Sequence, residues 1–394
     1  MDFCRERMEQ NKLFLETTAG GRLVAEGRYP LGIPHFLGRQ NIEKKGRKLF
    51  VEEKRAMSAR ARNLFVLFGI AAIVVMLFTV ETDYAQIGRN LSRIGMHFPL
   101  VLLVWCLVYG LNSLAFQWIV NSGKHGWHLS LRYACKLTVS GHAFSDTTPL
   151  GIGGGPYRMM ELSRYIGVPD AMSSVVYYMM THFYSFFFLW SISIGVFLCL
   201  FQEKMKAWLW PVFGIYLLCF LLLSLVFYYG YKNGLIVKLY SILLKIPFIK
   251  IPAGKFYDRI SGTLCQVDER MAYLYGRPKA LWGGLCFEIL GRLVAVLEYY
   301  LIFQAFGLDV SYAEALLVAG FSSFFDALLY VVPMQIGARE GGLAIIVKIL
   351  GISTGGAGLL AGFYTRAREF VWICIGVLLV KCGNASPAVS RKWR

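Results

Sequence analysis

Residues 149–154 read PLGIGG, and residues 333–338 read PMQIGA. Both copies carry the pattern P-x-x-I-G, and in each a further glycine follows after 13 residues, Gly167 in the first and Gly351 in the second. One gapless offset of 184 residues relates them, and along it Ala143 meets Ala327, Arg164 meets Lys348 and His142 meets Asp326. We read this as an internal duplication. Proline removes a backbone donor and glycine loosens the chain, so each copy interrupts a helix. The copies sit in two odd stretches, 130–166 and 313–350, each apolar at first and amphipathic after the break.

Outward from these stretches the chain is strongly apolar. Of its 394 residues 56% are hydrophobic and 16% charged, and its mean hydropathy is +0.52. Soluble domains carry about 25% charged residues. Uncharged runs cover Asn63–Val80, Phe98–Val120, Ala171–Gln202 and Ala207–Tyr231, with further apolar segments at 280–304 and 357–381. Runs of about 18 residues or more read as membrane-spanning helices. Composition therefore excludes a soluble enzyme, a disordered chain, a disulfide-stapled secreted domain and a nucleic-acid-binding domain. The nine cysteines show no metal spacing and read as small apolar residues.

The net charge of +17 orients the chain. Residues 1–62 hold 14 Lys and Arg, 230–280 hold 9 and 381–394 hold 4, whereas 81–97 and 202–206 hold 2 each and 305–314 none. Placing the basic segments in the cytoplasm satisfies the positive-inside rule and puts both termini there. The expected architecture is all-α: a polytopic protein of the inner (plasma) membrane with about six full spans and two re-entrant Pro/Gly-rich hairpins. Neither odd stretch adds an odd number of crossings without breaking the charge rule. Repeat one (about 98–201) then enters from outside and repeat two (about 280–381) from inside, so the repeats are inverted. That is a transporter design, with the site at the repeat interface. The basic segment 230–280 spaces Phe256, Ile260, Leu264 and Val267 as an amphipathic helix. Residues 1–56 are a polar extension, disordered or preceding the true start at Met57, and 382–394 form a basic cytoplasmic tail.

Ionisable residues inside spans mark a pathway or a buried pair. Glu288 and Arg292 lie one helical turn apart and read as a buried ion pair. Arg339 and Glu340 follow the second break, Arg158 and Glu161 follow the first, and Arg366, Arg368 and Glu369 interrupt the last helix. Arginines beside broken helices suit a phosphate, which they bind through two parallel N–H groups. His142 and His182 read as helix-packing hydrogen bonders, with proton carriage as the alternative. No P-loop, dinucleotide fingerprint, HExxH or GxSxG is legible, and no catalytic residue, metal ligand or cofactor is expected.

Thr148, Pro149, Gly153, Gly154, Gly155 and Pro156, followed by Arg158 and Gly167, resemble the first motif, T-P-x-x-x-G-G-x-P, of the lysylphosphatidylglycerol synthase membrane domain, a flippase-like family. Pro333, Gly337, Arg339, Glu340 and Gly341 resemble its second, P-x-P-G-G-x-G-x-x-E-G, with Met334 and Gln335 departing from it. The resemblance covers about 60–381. It implies the lipid-translocating part of that family rather than aminoacyl-tRNA-dependent synthesis, because no aminoacyl-transferase domain follows in this sequence.

The expected function is movement of a phospholipid or other lipid-linked anion. Arg339, Arg366 and Arg368, with Arg158, would hold its phosphate. Glu340, Glu161 or Asp326 would hold a cationic headgroup or balance the arginines. Pro149, Gly153, Gly154, Pro333 and Gly337 would shape the hairpins. The alternative is a membrane partner subunit that assists a cell-envelope lipid or glycan enzyme without transport of its own. Membrane lipids are the expected partners, with a cytoplasmic or membrane enzyme as a further one.

Overall fold

A computed structural model describes residues 95–148, 151, 153–201, 203, 209–233, 250–328, 338–352, 356–381 and 389–391. The expected helix at 63–80, the extension 1–56, Met57, Pro149, Pro333, Gly337 and most of the tail lie outside these residues, as does the side chain of Glu340. The elements are α1 (His97–Ser122), β1 (Trp127–Leu129), α2 (Leu131–Thr147), α3 (Gly154–Ile166), α4 (Val168–Leu200), α5 (Leu209–Asn233), α6 (Lys250–Tyr275), α7 (Pro278–Ala305), α8 (Tyr312–Leu328), α9 (Ala338–Leu350), α10 (Gly356–Lys381) and β2 (Val389–Arg391).

The apolar runs become helices, with ends set by local chemistry. Ser130 caps α2 by accepting from the Tyr133 amide. Pro278 opens α7, where a missing N–H costs nothing. Among the described residues α1, α4 and α7 are long and apolar enough to cross a membrane. Helix α10 matches α1 at 26 residues but carries Arg366, Arg368 and Glu369 in its interior.

Both odd stretches are helix pairs. The paired helices after each break, α3 and α9, are 13 residues long, and they begin at Gly154 and Ala338, one offset of 184 apart. Gly167 (φ 83°) and Gly351 (φ 75°) then turn the chain in the left-handed region open mainly to glycine. Between α2 and α3 the Thr148 hydroxyl donates to Phe144 O (2.7 Å) and accepts from the Gly153 amide (2.8 Å), so one side chain stitches the break.

The two halves close on each other. Helices α1 and α7 pack along their length, Gly283 and Gly284 giving room to Trp118 and Ile119, and Gly291 to Asn112. Helix α2 packs on α10 and α8 packs on α4. One core joins Leu137, Phe144, Tyr157 and Leu162 to Ile373 and Val377 of α10. The other joins Leu317, Leu343, Ile346 and Val347 to Leu189 and Phe197 of α4. Each paired stretch is thus completed by a helix from the other half.

The expected amphipathic helix exists as α6. Leu264, Val267, Met271 and Leu274 are buried, and α6 packs on α4, α5 and α7. A small antiparallel ribbon departs from the purely helical expectation, Leu129 opposing Val389 and Trp127 opposing Arg391. It joins the loop after α1 to the tail after α10, so those two helix ends share one side.

Gly154 is a position of close approach. An added Cβ would collide with the Gly141 carbonyl oxygen and the Ser145 hydroxyl on α2. Gly154→Ala should therefore destabilise the protein by about 1–3 kcal/mol through overpacking. Thermal unfolding in detergent, compared with Gly195→Ala, where nothing lies within 4 Å, checks this.

Candidate functional site: a buried charged seam between the halves

Where α8, α9 and α10 meet α1 and α7, six charged side chains converge. Arg339 of α9 donates through Nε to Asp326 Oδ2 of α8 (3.0 Å) and through Nη1 to Glu369 Oε1 of α10. Arg366 Nη1 lies 3.7 Å from Glu369 Oε2. Arg368 grips Glu298 of α7 with both Nε (2.9 Å) and Nη2 (3.3 Å), and its guanidinium lies 3.7 Å from the Trp105 ring centroid. Trp105 also donates through Nε1 to Glu298 Oε2 (2.8 Å). Asp146 of α2 lies within electrostatic reach of Arg339, Arg368, Glu369 and Arg158.

These groups are held away from solvent: Glu298 is 2% exposed, Arg368 5% and Arg366 9%. Charges in such surroundings persist only when paired and fully hydrogen-bonded. Three arginines face the three carboxylates they contact directly, with Asp146 close by as a fourth. Arginine pairs retain an exchangeable character, because a phosphate offers the same two-oxygen acceptor as a carboxylate.

A second cluster lies between α4 of the first half and α7 of the second. His182 Nδ1 meets Glu288 Oε2 at 2.8 Å, and Arg292 Nη2 meets His182 Nε2 at 2.8 Å. A guanidinium N–H only donates, so Nε2 accepts and Nδ1 donates to Glu288. Arg292 also donates through Nε to Ser185 (3.1 Å) and covers the Phe186 ring at 3.6 Å. The expected Glu288–Arg292 pair forms at 3.9 Å, with the His182 imidazole bonded to both members. Arg158 instead donates to the Leu137 and Thr138 carbonyls (3.3 Å each) and lies over Tyr178.

A column of rings joins the clusters. Trp105 and Tyr109 are 5.5 Å apart, Tyr109 and His142 5.3 Å, and His142 and His182 5.3 Å.

Of the residues singled out in the sequence, Asp326, Arg339, Arg366 and Arg368 converge. Glu161 does not join them: it accepts from the Tyr133 hydroxyl (3.0 Å) and pairs with Arg164 (3.0 Å). Glu298, Trp105, Tyr109 and Asp146 were missed as site residues. Trp105 and Tyr109 sit in an uncharged run and carry no signal in sequence. His182 and Ser185 did carry one, because the offset of 184 places them against Arg366 and Glu369. Among the described residues no group of three His, Cys, Asp or Glu is placed to hold a metal ion.

Long apolar helices around a charged interior define an integral membrane protein. The chain belongs to the family described as the lysylphosphatidylglycerol synthase TM region, which it matches over residues 65–376. Neither a curated protein nor a solved structure matches it.

Proposed function

We infer that this chain moves a phosphate-bearing lipid headgroup across the membrane, through the seam between its two halves. The observation that carries this reading is the Asp326–Arg339–Glu369 triple beside the Arg368–Glu298 pair, buried where α8, α9 and α10 meet. A lipid phosphate entering the seam takes over N–H groups of Arg339 or Arg366, and the released carboxylates hold a cationic part of the headgroup or stay balanced by the remaining arginines. For a headgroup that carries its own cation, exchange of one acceptor for another keeps every buried charge paired, which lowers the barrier to a polar group crossing the bilayer interior.

The topology that goes with this reading has about six full spans and two re-entrant pairs, α2–α3 and α8–α9, arranged as inverted repeats. The matched bounds of α3 and α9 and the reciprocal packing of α2 on α10 and α8 on α4 support it. Irregular backbone at membrane depth is tolerated where it is buried or lines a polar cavity. The ribbon after α1 and α10, together with the basic flanks, favours a cytoplasmic side for that face and for both termini in a plasma membrane.

The test is lipid movement in liposomes. Purified protein is reconstituted with fluorescent phospholipids bearing anionic, zwitterionic and aminoacylated headgroups, and outer-leaflet quenching reports exchange between leaflets. Headgroup-dependent exchange is expected. Well-folded protein that moves no headgroup under any imposed gradient would contradict the reading and favour the partner-subunit role, with α6 as its docking element.

A further inference from the structure

The offset that relates the two breaks also sets two histidines of the first half against two charged residues of the second. His142 stands where the second half has Asp326, and His182 stands where it has Arg366. One half therefore fills these positions with a carboxyl and a guanidinium and the other with two imidazoles, whose ring centroids lie 5.3 Å apart. His182 is bonded on both nitrogens, to Glu288 and Arg292. His142 is not: its Nε2 is buried without a hydrogen-bond partner. A buried imidazole nitrogen with no protein partner is open to a proton, a water or a ligand.

The charge balance says what the proton would do. With both histidines neutral and every carboxyl ionised, five arginines (Arg158, Arg292, Arg339, Arg366 and Arg368) face five carboxylates (Asp146, Glu288, Glu298, Asp326 and Glu369), and Asp146, set beside Glu369, is the group that competes with the histidines for a proton. A headgroup with net negative charge breaks that balance inside a low-dielectric interior, where an unmatched charge is costly. Resting on the headgroup site proposed above, we propose that His142 and His182 form a proton-binding pair that takes up one proton when an anionic headgroup enters the seam. The proton comes from the aqueous side and binds whichever nitrogen of the neutral His142 ring carries the lone pair. An N–H bond forms on the imidazole, the bond to that proton in the aqueous acid breaks, and no other covalent bond changes.

The surroundings fit a site that is charged only with an anion present. Arg158 of α3 and Arg292 of α7 act on His142 as like charges. Glu288 of α7 is engaged by His182, and the Tyr178 ring of α4 lies tilted against the His182 ring at 5.9 Å. On the other side Tyr109 of α1 touches His142 and lies within reach of Asp146 of α2 and of Arg368 and Glu369 of α10. A phosphate held at Arg368, one ring beyond Tyr109, places negative charge near the imidazoles and offsets the field of Arg158 and Arg292 there. Anion binding and protonation then favour each other, and by linkage each strengthens the other equally. A zwitterionic headgroup brings no net charge and needs no proton.

Proton uptake measured directly separates this inference from the transport reading. The full chain in zwitterionic nanodiscs, weakly buffered with a pH indicator, is titrated with short-chain phosphatidylglycerol or short-chain phosphatidylcholine, while calorimetry follows binding. Expected are roughly one proton taken up per bound phosphatidylglycerol, none with phosphatidylcholine, and loss of uptake in His142→Gln with lipid binding weakened by up to about tenfold per pH unit on the acid side relative to wild type. Should His142→Gln fail to fold, His142→Asn and the tautomer-sensitive ¹⁵N signals of the wild-type imidazoles with and without phosphatidylglycerol give the same answer. Phosphatidylglycerol binding without proton uptake, or uptake unchanged in the variant, overturns the proton pair alone. Absence of any lipid binding overturns the headgroup site and the proton pair with it.

Discussion

Arg368→Met should produce the largest loss of stability of any single change in the seam. It removes both N–H groups that hold Glu298 and leaves a carboxylate that is 2% exposed facing the Trp105 N–H alone. Breaking one partner of a buried pair costs about 3–5 kcal/mol, because the surviving charge is left uncompensated. The guanidinium also lies over Trp105, so a ring contact is lost with the charge. The fold should recover most of that loss when the second charge is removed as well. Arg368→Met combined with Glu298→Gln leaves a neutral amide whose oxygen still accepts from Trp105. Thermal unfolding of the single and double variants in the same detergent measures this. A double variant no more stable than Arg368→Met would mean that the arginine stabilises by packing rather than by charge.

Arg339→Lys is expected to have the largest effect on lipid movement at little cost in folding. The lysine keeps a positive charge between Asp326 and Glu369, so the buried carboxylates stay compensated. It loses the fork that lets one side chain hold two acceptors on different helices and hand one of them to a phosphate. Lipid exchange should fall by roughly a hundredfold, equivalent to about 2.7 kcal/mol of barrier, while the unfolding temperature shifts by only a few degrees. Exchange at the wild-type rate would show that Arg339 locks α8, α9 and α10 together without touching the headgroup. Glu369→Gln distinguishes the two roles further. It should loosen Arg339 and Arg366 at once, because both contact that carboxylate.

Much of this architecture follows from patterns that survive in one dimension. Uncharged runs gave the long helices to within a few residues, since a span needs length and the absence of charge, and both are visible in a single sequence. The paired short helices were legible for another reason. Proline and glycine mark the breaks, and the repeat of P-x-x-I-G at one offset tied them together before any contact was known. The individual partners of the charges were not legible. Glu298 is separated from Arg368 by 70 residues and from Trp105 by 193, so only the closure of the two halves brings them together. Glu161 shows the converse. Its spacing from Arg158 suggested a shared site, yet the helix directs it to Arg164 and Tyr133 instead. The terminal ribbon carries no strong strand pattern in three residues on each side, and pairing across the molecule alone defines it.

The central claim is that a headgroup passes along the seam at Arg339. A phospholipid carrying a photoreactive group at its headgroup, activated in liposomes containing the wild-type protein and followed by peptide mapping, tests it most directly. The account expects labels on α2, α8, α9 or α10 around Asp146, Asp326, Arg339 and Glu369, reduced by excess unlabelled lipid and by Arg339→Lys. Labels confined to outward-facing residues such as Trp210, Leu217 and Trp282, insensitive to competition, would show that lipid touches only the exterior of the helices and would contradict it.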